Sequence, residues 1–401
     1  MSLNLASFFS GCGGLDLGLM GGFEANSRSF NFAIEKYLPL TSITNNRRKL
    51  LLPKGKITPK FCCDVWNKAK VSWESNISEA HDFRNESIVD LVKQHRLGKK
   101  IFPKRIDILT GGFPCQDFSV AGKRRGLKSH RSHKGSLVDS DEPTEANRGQ
   151  LYFWMREAID IMQPKLFIAE NVKGILSLGD TAEVIKSDFE SIGYKVFYQL
   201  LNAASYGIPQ TRERVFFIGV RLNSIHKSKF KDLSILENLL FPPKSHFIKA
   251  KESKLKPPVF AYDYIKDLGE PEAAKDLSHR HYSKCRFYGS HVQGQTEVRK
   301  KIIGPTIRAE HHGNIEFRRL SKKNGGSHLD ELKLGMKERR LSVRECARLQ
   351  TFPDSFKFVI KGEKSSISQS DAYKLIGNAV PPILAYKIGR YIESNWQEIF
   401  K

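Results

Sequence analysis

Six short apolar runs, separated by longer mixed segments, constrain this chain more than any other feature of its sequence. They are LNLASFF (3–9), KFCCDV (60–65), RIDILTG (105–111), KLFIAEN (165–171), KVFYQLL (195–201) and RVFFIGV (214–220). Between them, SIVDLVKQHRL (87–97), LYFWMREAIDIM (151–162) and TAEVIKSDFESI (181–192) carry their apolar residues at helical spacing. Strands that alternate with helices are joined by crossovers. The expected fold is therefore α/β: a doubly wound, mostly parallel, Rossmann-like sheet. Open sheets of this kind bind ligands beyond the carboxyl ends of their strands, which is where functional residues belong.

Two stretches interrupt the alternation: a polar, basic insertion at 25–58 and a long loop at 117–149 rich in Gly, Ser, His and charge. From about 223 the texture changes, with FPPK, KPPV and GEPE motifs, many Lys and His, and little helical periodicity. This predicts one domain from 1–222 together with 340–401, and a second, smaller and more irregular domain at 223–339. Order returns with LSVRECARLQ, which reads as a helix, and YKLIGNAVPP, which turns into a final amphipathic helix with proline at its start. No internal repeat is evident.

Charge bears on partners. Lys and Arg number 66 against 43 acids, a formal charge of +23, and a surplus of that size suits a polyanion. The basic runs at 46–60, 123–134, 244–256 and 318–323 read as loops, where a surface that grips a phosphate backbone would sit. The six cysteines form no CxxC pair, so neither a disulfide framework nor a zinc site is expected. No signal peptide or membrane-length apolar run is recognisable. The expectation is a soluble cytoplasmic protein without a metal.

Three strand ends carry chemistry. FFSGCGGLDLG (8–18) runs from the first strand through a glycine turn into a helix, and Asp64 closes the second strand; together they suggest a nucleoside cofactor. GGFPCQDFS (111–119) presents Cys115 where glycines and a proline break a strand. A catalytic cysteine needs something to stabilise its thiolate and something to polarise its target. Glu170 and Asn171 at the end of FIAENV are candidates, the glutamate as a proton carrier beside apolar residues. Arg212 and Arg214, alternating with Glu213 before the next strand, are expected to face one side.

With these residues in view the chain resembles the cytosine-5 DNA methyltransferases. FFSGCGG, GGFPCQDFS, RGQLYFW, FIAENV, YGIPQTRERVFFIG, RRLSVRECARLQTFPDSF and IGNAVPP follow that family's motif order, skipping only the insertions and the irregular domain. The resemblance implies that the sheet is an S-adenosylmethionine-dependent methyltransferase domain and that 223–339 is a target-recognition domain. It implies Cys115 as nucleophile, Glu170 at the ring nitrogen, Arg214 at the base carbonyl and Arg212 as support. It assigns cofactor binding to Phe9, Gly11, Cys12, Gly13, Gly14, Asp64, Val65, Pro114, Asn378 and Val380, with Asp82 in EAHDF as the acid at the adenine. The 117–149 loop is then expected to close over a flipped cytosine. Double-stranded DNA is the implied partner, bound by a monomer, and protection from a cognate restriction endonuclease the implied purpose.

Two rivals remain. One is an RNA methyltransferase with the same active site, against which stand the large basic domain and the lack of that branch's cysteine-bearing insertion. The other is an inactive DNA-binding relative, which would have lost Cys115, Glu170 or an arginine; all are present.

Overall fold

The computed structural model describes residues 2–39, 41–43, 48–77, 82–114, 151–226, 228–249, 254–309, 315–362 and 366–401. Cys115 and the 117–149 loop lie outside the described residues.

The first half alternates as expected. In chain order it runs β1 (Leu3–Phe8), α1 (Gly14–Met20), β2 (Glu24–Asn26), β3 (Ser42–Ile43), β4 (Lys49–Leu51), β5 (Ile57–Cys63), α2 (Asn67–Asn76), β6 (Phe83–Arg84) and α3 (Ile88–Arg96). It continues with β7 (Ile108–Gly111), α4 (Leu151–Met162), β8 (Leu166–Val172), α5 (Thr181–Glu190), β9 (Tyr194–Asn202) and β10 (Glu213–Arg221). Seven of these strands form one sheet in the order β6-β5-β1-β7-β8-β10-β9, parallel except for β10, which runs opposite to both of its neighbours. Because β10 is reversed, the 203–212 loop leaves β9 and enters β10 at the same sheet edge.

Alternation along each strand feeds two apolar layers. Leu5, Ile108, Ile168 and Ile218 point into one, and Ala6, Leu109, Phe167 and Phe217 into the other. On the second face α3 packs on α4 and α5 on β9; on the first, α1 packs on the final helix, α12 (Pro382–Ile399). Local signals start the helices. Ser87 Oγ accepts from Val89 N at the head of α3, and Pro382 opens α12.

The described residues of 223–340 hold short helices and strands only: α6 (Glu237–Leu240), α7 (Ala261–Ile265), α8 (Leu277–Arg280), β11 (Phe317–Arg319), α9 (Leu329–Lys333) and β12 (Arg339–Arg340). Next come α10 (Val343–Leu349), which carries the Ser342–Glu345 capping box, and α11 (Gln369–Asn378). β11 and β12 form a separate antiparallel pair. The region is bound by buried charge. Fully buried Arg340 donates to the carbonyls of Cys285 (2.9 Å), Arg286 (2.8 Å), Gly294 (2.9 Å) and Ile315. Arg319 pairs with Glu331 and Glu270, and Arg339 with Glu345 and Glu270. Burial alone would raise the Glu270 carboxyl, but the two arginines hold it down at about 2. The basic run at 318–323 is thus not a loop throughout: Arg318 and Arg319 are buried strand residues engaged with carboxylates. Within the 25–58 insertion, β2, β4 and β3 form a small antiparallel sheet.

Candidate functional site

The glycine turn after β1 is built on left-handed backbone. Phe9 (φ 52°), a rare conformation for a side-chain-bearing residue, is followed by Gly11 (φ 54°) and Gly13 (φ 84°). A Cβ on Gly13 would lie 2.7 Å from the Trp73 ring, so only glycine lets the turn sit down on α2. Asp64, just past β5, ties the two strand ends together: its Oδ2 accepts from Gly11 N at 2.9 Å and its Oδ1 from Trp66 N at 2.8 Å. Burial raises the Asp64 carboxyl. Beneath the turn, buried Asp16 accepts from Trp73 Nε1 at 2.8 Å, and burial lifts its pKa to about 6. Cys12 is buried, and desolvation pushes its thiol up to about 12, which removes it as a nucleophile.

A cavity of about 690 Å³ opens along this edge of the sheet. Phe9, Gly11, Cys12 and Gly14 line it from β1, Asp64, Val65 and Trp66 from β5, and Glu86 and Ser87 from beyond β6. Leu375, Asn378 and Val380 close it from the C-terminal part of the chain. Carboxylates therefore face apolar walls, a combination suited to a nucleoside with polar appendages.

The same cavity reaches Pro114, Glu170 and Arg214. In the β8–β10 register Val172 pairs with Arg214 and Glu170 with Phe216, so Glu170 and Arg214 are diagonal neighbours on one face. Their side chains meet, Glu170 Oε1 lying 2.9 Å from Arg214 Nε. Besides that contact Oε1 is buried with no hydrogen-bond partner among the described residues. The expectation of a glutamate beside apolar neighbours is thus corrected: its nearest partner is a guanidinium. Asn171 Nδ2 donates to Phe113 O at 3.1 Å, fixing the backbone that leads into Pro114. A Cβ on Gly112 would stand 3.2 Å from Glu170 Oε2, so this chain passes hard against the glutamate.

Arg212 lies one residue before the strand, close enough to Glu170 and Arg214 that their charges act on its guanidinium. Buried Arg212 donates to Ile307 O (3.0 Å) and Gly377 O (2.9 Å), tying the 203–212 loop to the irregular region and to α11. Gly13 supports the turn without lining the cavity, and Asp82 pairs with Arg84 at 2.7 Å away from it. Cys115 lies outside the described residues, one position beyond cavity-lining Pro114. Sequence reasoning passed over Glu86 and Ser87. Their signal was an acid just after a strand and directly before a helix-capping serine, the arrangement that had singled out Asp64.

A doubly wound sheet with a nucleoside-sized cavity and a glutamate–arginine pair at its carboxyl edge defines the class of protein. Residues 3–394 match the family described as C-5 cytosine-specific DNA methylase, and the chain belongs to that family. It is a DNA cytosine-5 methyltransferase. Among relatives, Type II methyltransferase M.BsuRI of Bacillus subtilis is 33% identical over 98% of this chain and 80% of its own. Type II methyltransferase M.NgoPII of Neisseria gonorrhoeae is 29% identical over 98% of this chain and 95% of its own. Among solved structures, a DNMT2 mutant of Spodoptera frugiperda superposes with TM-score 0.57 at 14% identity, covering 98% of this chain and 100% of that one. The Entamoeba histolytica methyltransferase EhMeth does so with TM-score 0.57 at 15% identity, covering 99% of each. At such identities the two structures speak for the fold alone.

Proposed function

We propose that the enzyme moves a methyl group from S-adenosylmethionine to carbon 5 of a cytosine flipped out of a specific double-stranded DNA site, through a covalent bond to Cys115. The observation that carries this reading is the continuity of one cavity from the Asp64 and Glu86 carboxylates to the Glu170–Arg214 pair. The residues fit the methyl donor: Asp64 and Glu86 suit ribose hydroxyls or an ammonium, and Phe9, Val65, Leu375 and Val380 suit a purine. When bound, it supplies a methyl group on a positively charged sulfur.

The chain's own residues do the rest. The Cys115 thiolate adds to carbon 6, which pushes electrons toward carbon 5 and the base carbonyl. Glu170 holds a proton or hydrogen bond at ring nitrogen 3, and Arg214 stabilises charge at the carbonyl. Once carbon 5 is methylated, its proton leaves and Cys115 is expelled. Arg212 acts indirectly, by holding the loop that leads into Arg214 on β10. Residues 223–339 select the sequence, and the likeness to Type II methyltransferases supports protection from a restriction endonuclease as the purpose.

The test is a duplex carrying 5-fluorocytosine at the target. Fluorine cannot leave as a cation, so the enzyme should stop as a denaturation-resistant complex whose mass is protein plus methylated DNA. Formation should require S-adenosylmethionine and vanish in Cys115→Ser. Normal methylation of ordinary DNA without any adduct would overturn attack at carbon 6, and preference for RNA over duplex DNA would overturn the substrate.

A further inference from the structure

No described residue of the 25–58 insertion lines the cavity, yet its first turns hold the most deeply buried ion pair among the described residues. Lys387 of α12 and Glu35 are both fully buried, and Nζ lies 2.5 Å from Oε1. The ammonium also donates to Ser29 O (2.7 Å), Tyr206 O (2.8 Å) and Ser245 Oγ (3.2 Å). It therefore joins four parts of the chain: the last helix, the insertion, the 203–212 loop and the first residues of the irregular region. Glu35 is held in turn by Asn31 N at 2.6 Å, and Asn31 Nδ2 donates to Ser245 O and Lys254 O.

The insertion also touches the loop directly. Ser29 Oγ donates to Gly207 O at 2.6 Å. Gly207 has a left-handed backbone (φ 78°), and a Cβ there would fall 2.4 Å from Ser29 O and 2.7 Å from the His246 ring. That fit leaves no room for the loop to shift. His246 fills the remaining side, its Nε2 3.0 Å from Arg28 O, and Arg28 pairs with Asp263 at 2.5 Å. Beyond Gly207 the loop is fastened again: Thr211 N donates to Gly304 O, Gln210 Oε1 accepts from Ile307 N, and Arg212 reaches Ile307 and Gly377. The loop is thus pinned at both flanks, and the flank at 206–207 is pinned by the insertion and Lys387.

A buried ion pair is a poor source of stability, because taking two charges out of water offsets most of their attraction. What it supplies is geometry. One ammonium that must satisfy two carbonyls, a hydroxyl and a carboxylate fixes the spacing between Ser29 and Tyr206. We propose that the 25–58 insertion, keyed by Lys387 and Glu35, is a positioning strut for the 203–212 loop, and that it sets where Arg214 stands against the target base. This rests on the reading that Glu170 and Arg214 receive that base. Lys387, Glu35 and Ser29 are positioning residues, since none lines the cavity.

The test is the double variant Glu35→Gln/Lys387→Met, which removes both charges together and so leaves no orphaned ion in the core. Turnover is counted per molecule able to bind S-adenosylhomocysteine, so that unfolded protein does not enter the comparison. The strut predicts that binding of this probe stays within about twofold while kcat falls about tenfold or more, because small displacements of a catalytic group are costly. A purely stabilising role would lower the melting temperature and the yield but leave kcat per binding-competent molecule unchanged; that result overturns the strut. If the double variant does not fold, Ser29→Ala keeps the ion pair and removes the hydroxyl that serves Gly207 O and the Tyr264 hydroxyl. It should lower kcat by about threefold or more, and wild-type kcat there overturns the proposal. Arg214→Lys separates the underlying reading: wild-type turnover in that variant means the base site is misassigned. Impaired Arg214→Lys beside a fully active strut variant means that only the strut is wrong.

Discussion

The sheet half and the irregular region between α7 and β12 solve the same problem by opposite means. In the sheet, backbone groups satisfy one another strand to strand, which leaves side chains such as Phe167 and Phe189 free to pack as pure hydrocarbon and ring. In the irregular region few carbonyls find a ladder, so buried side chains must supply the donors: Arg340 alone serves four. The first strategy makes order from repetition. The second makes order from individually placed charges, each committed to named acceptors, and is specific for the same reason that it is fragile.

Three substitutions sharpen this contrast. Arg340→Met has the largest expected effect, because four carbonyls lose a charged donor at once, about 4 kcal/mol or more. Its damage should be local: proteolysis should open the chain near 283–295 and methylation should fail, while S-adenosylhomocysteine still binds. Loss of that binding in step with methylation would mean that the two regions form one cooperative unit. Phe167→Ala should cost about 3–5 kcal/mol in urea or thermal unfolding through the cavity it leaves. Here binding and fold should disappear together.

Asp16→Asn is the smallest, and its sign depends on pH. The buried carboxyl titrates at about 6 in the folded chain against an ordinary 3.8. The unfolded chain therefore releases this proton first, and the contribution of the protonated group is lost as pH rises through 6. Asparagine can keep the Trp73 hydrogen bond and cannot ionise. The variant should melt higher than wild type above pH 6, by no more than about 3 kcal/mol, and the gain should vanish below pH 4. An advantage that persisted at low pH would assign the effect to packing instead.

The sequence was most legible where periodicity rules. The run at 195–201 became β9 (Tyr194–Asn202), the run at 214–220 became β10 (Glu213–Arg221), and 151–162 lies in α4, which ends with it at Met162. What an apolar run cannot carry is direction, so the reversal of β10 was invisible until its neighbours were known. Arg318 and Arg319 misled for a related reason: a basic pair reads as surface unless Glu270 and Glu331, far away in the chain, are seen to meet it. The site was legible as motifs. Twelve of the residues singled out for it line one cavity, namely Phe9, Gly11, Cys12, Gly14, Asp64, Val65, Pro114, Glu170, Asn171, Arg214, Asn378 and Val380. The partners of Arg212, Ile307 and Gly377, are contacts that no local pattern encodes.

The packing of α1 on α12 has a consequence for how the molecule comes into being. Gly18 of α1 sits so close to the last helix that a Cβ there would meet Ala385 at 2.3 Å, and Val380 closes the cavity over the glycine turn. A ribosome delivers Gly18 early and Ala385 more than three hundred and sixty residues later. Until then the first face of the sheet is uncovered and one wall of the cavity is missing. The cell therefore receives this activity only once α12 has been made, and a product that stops before it has no partial enzyme to offer. During that wait the exposed face of β1 and α1 is what the cell must keep from aggregating.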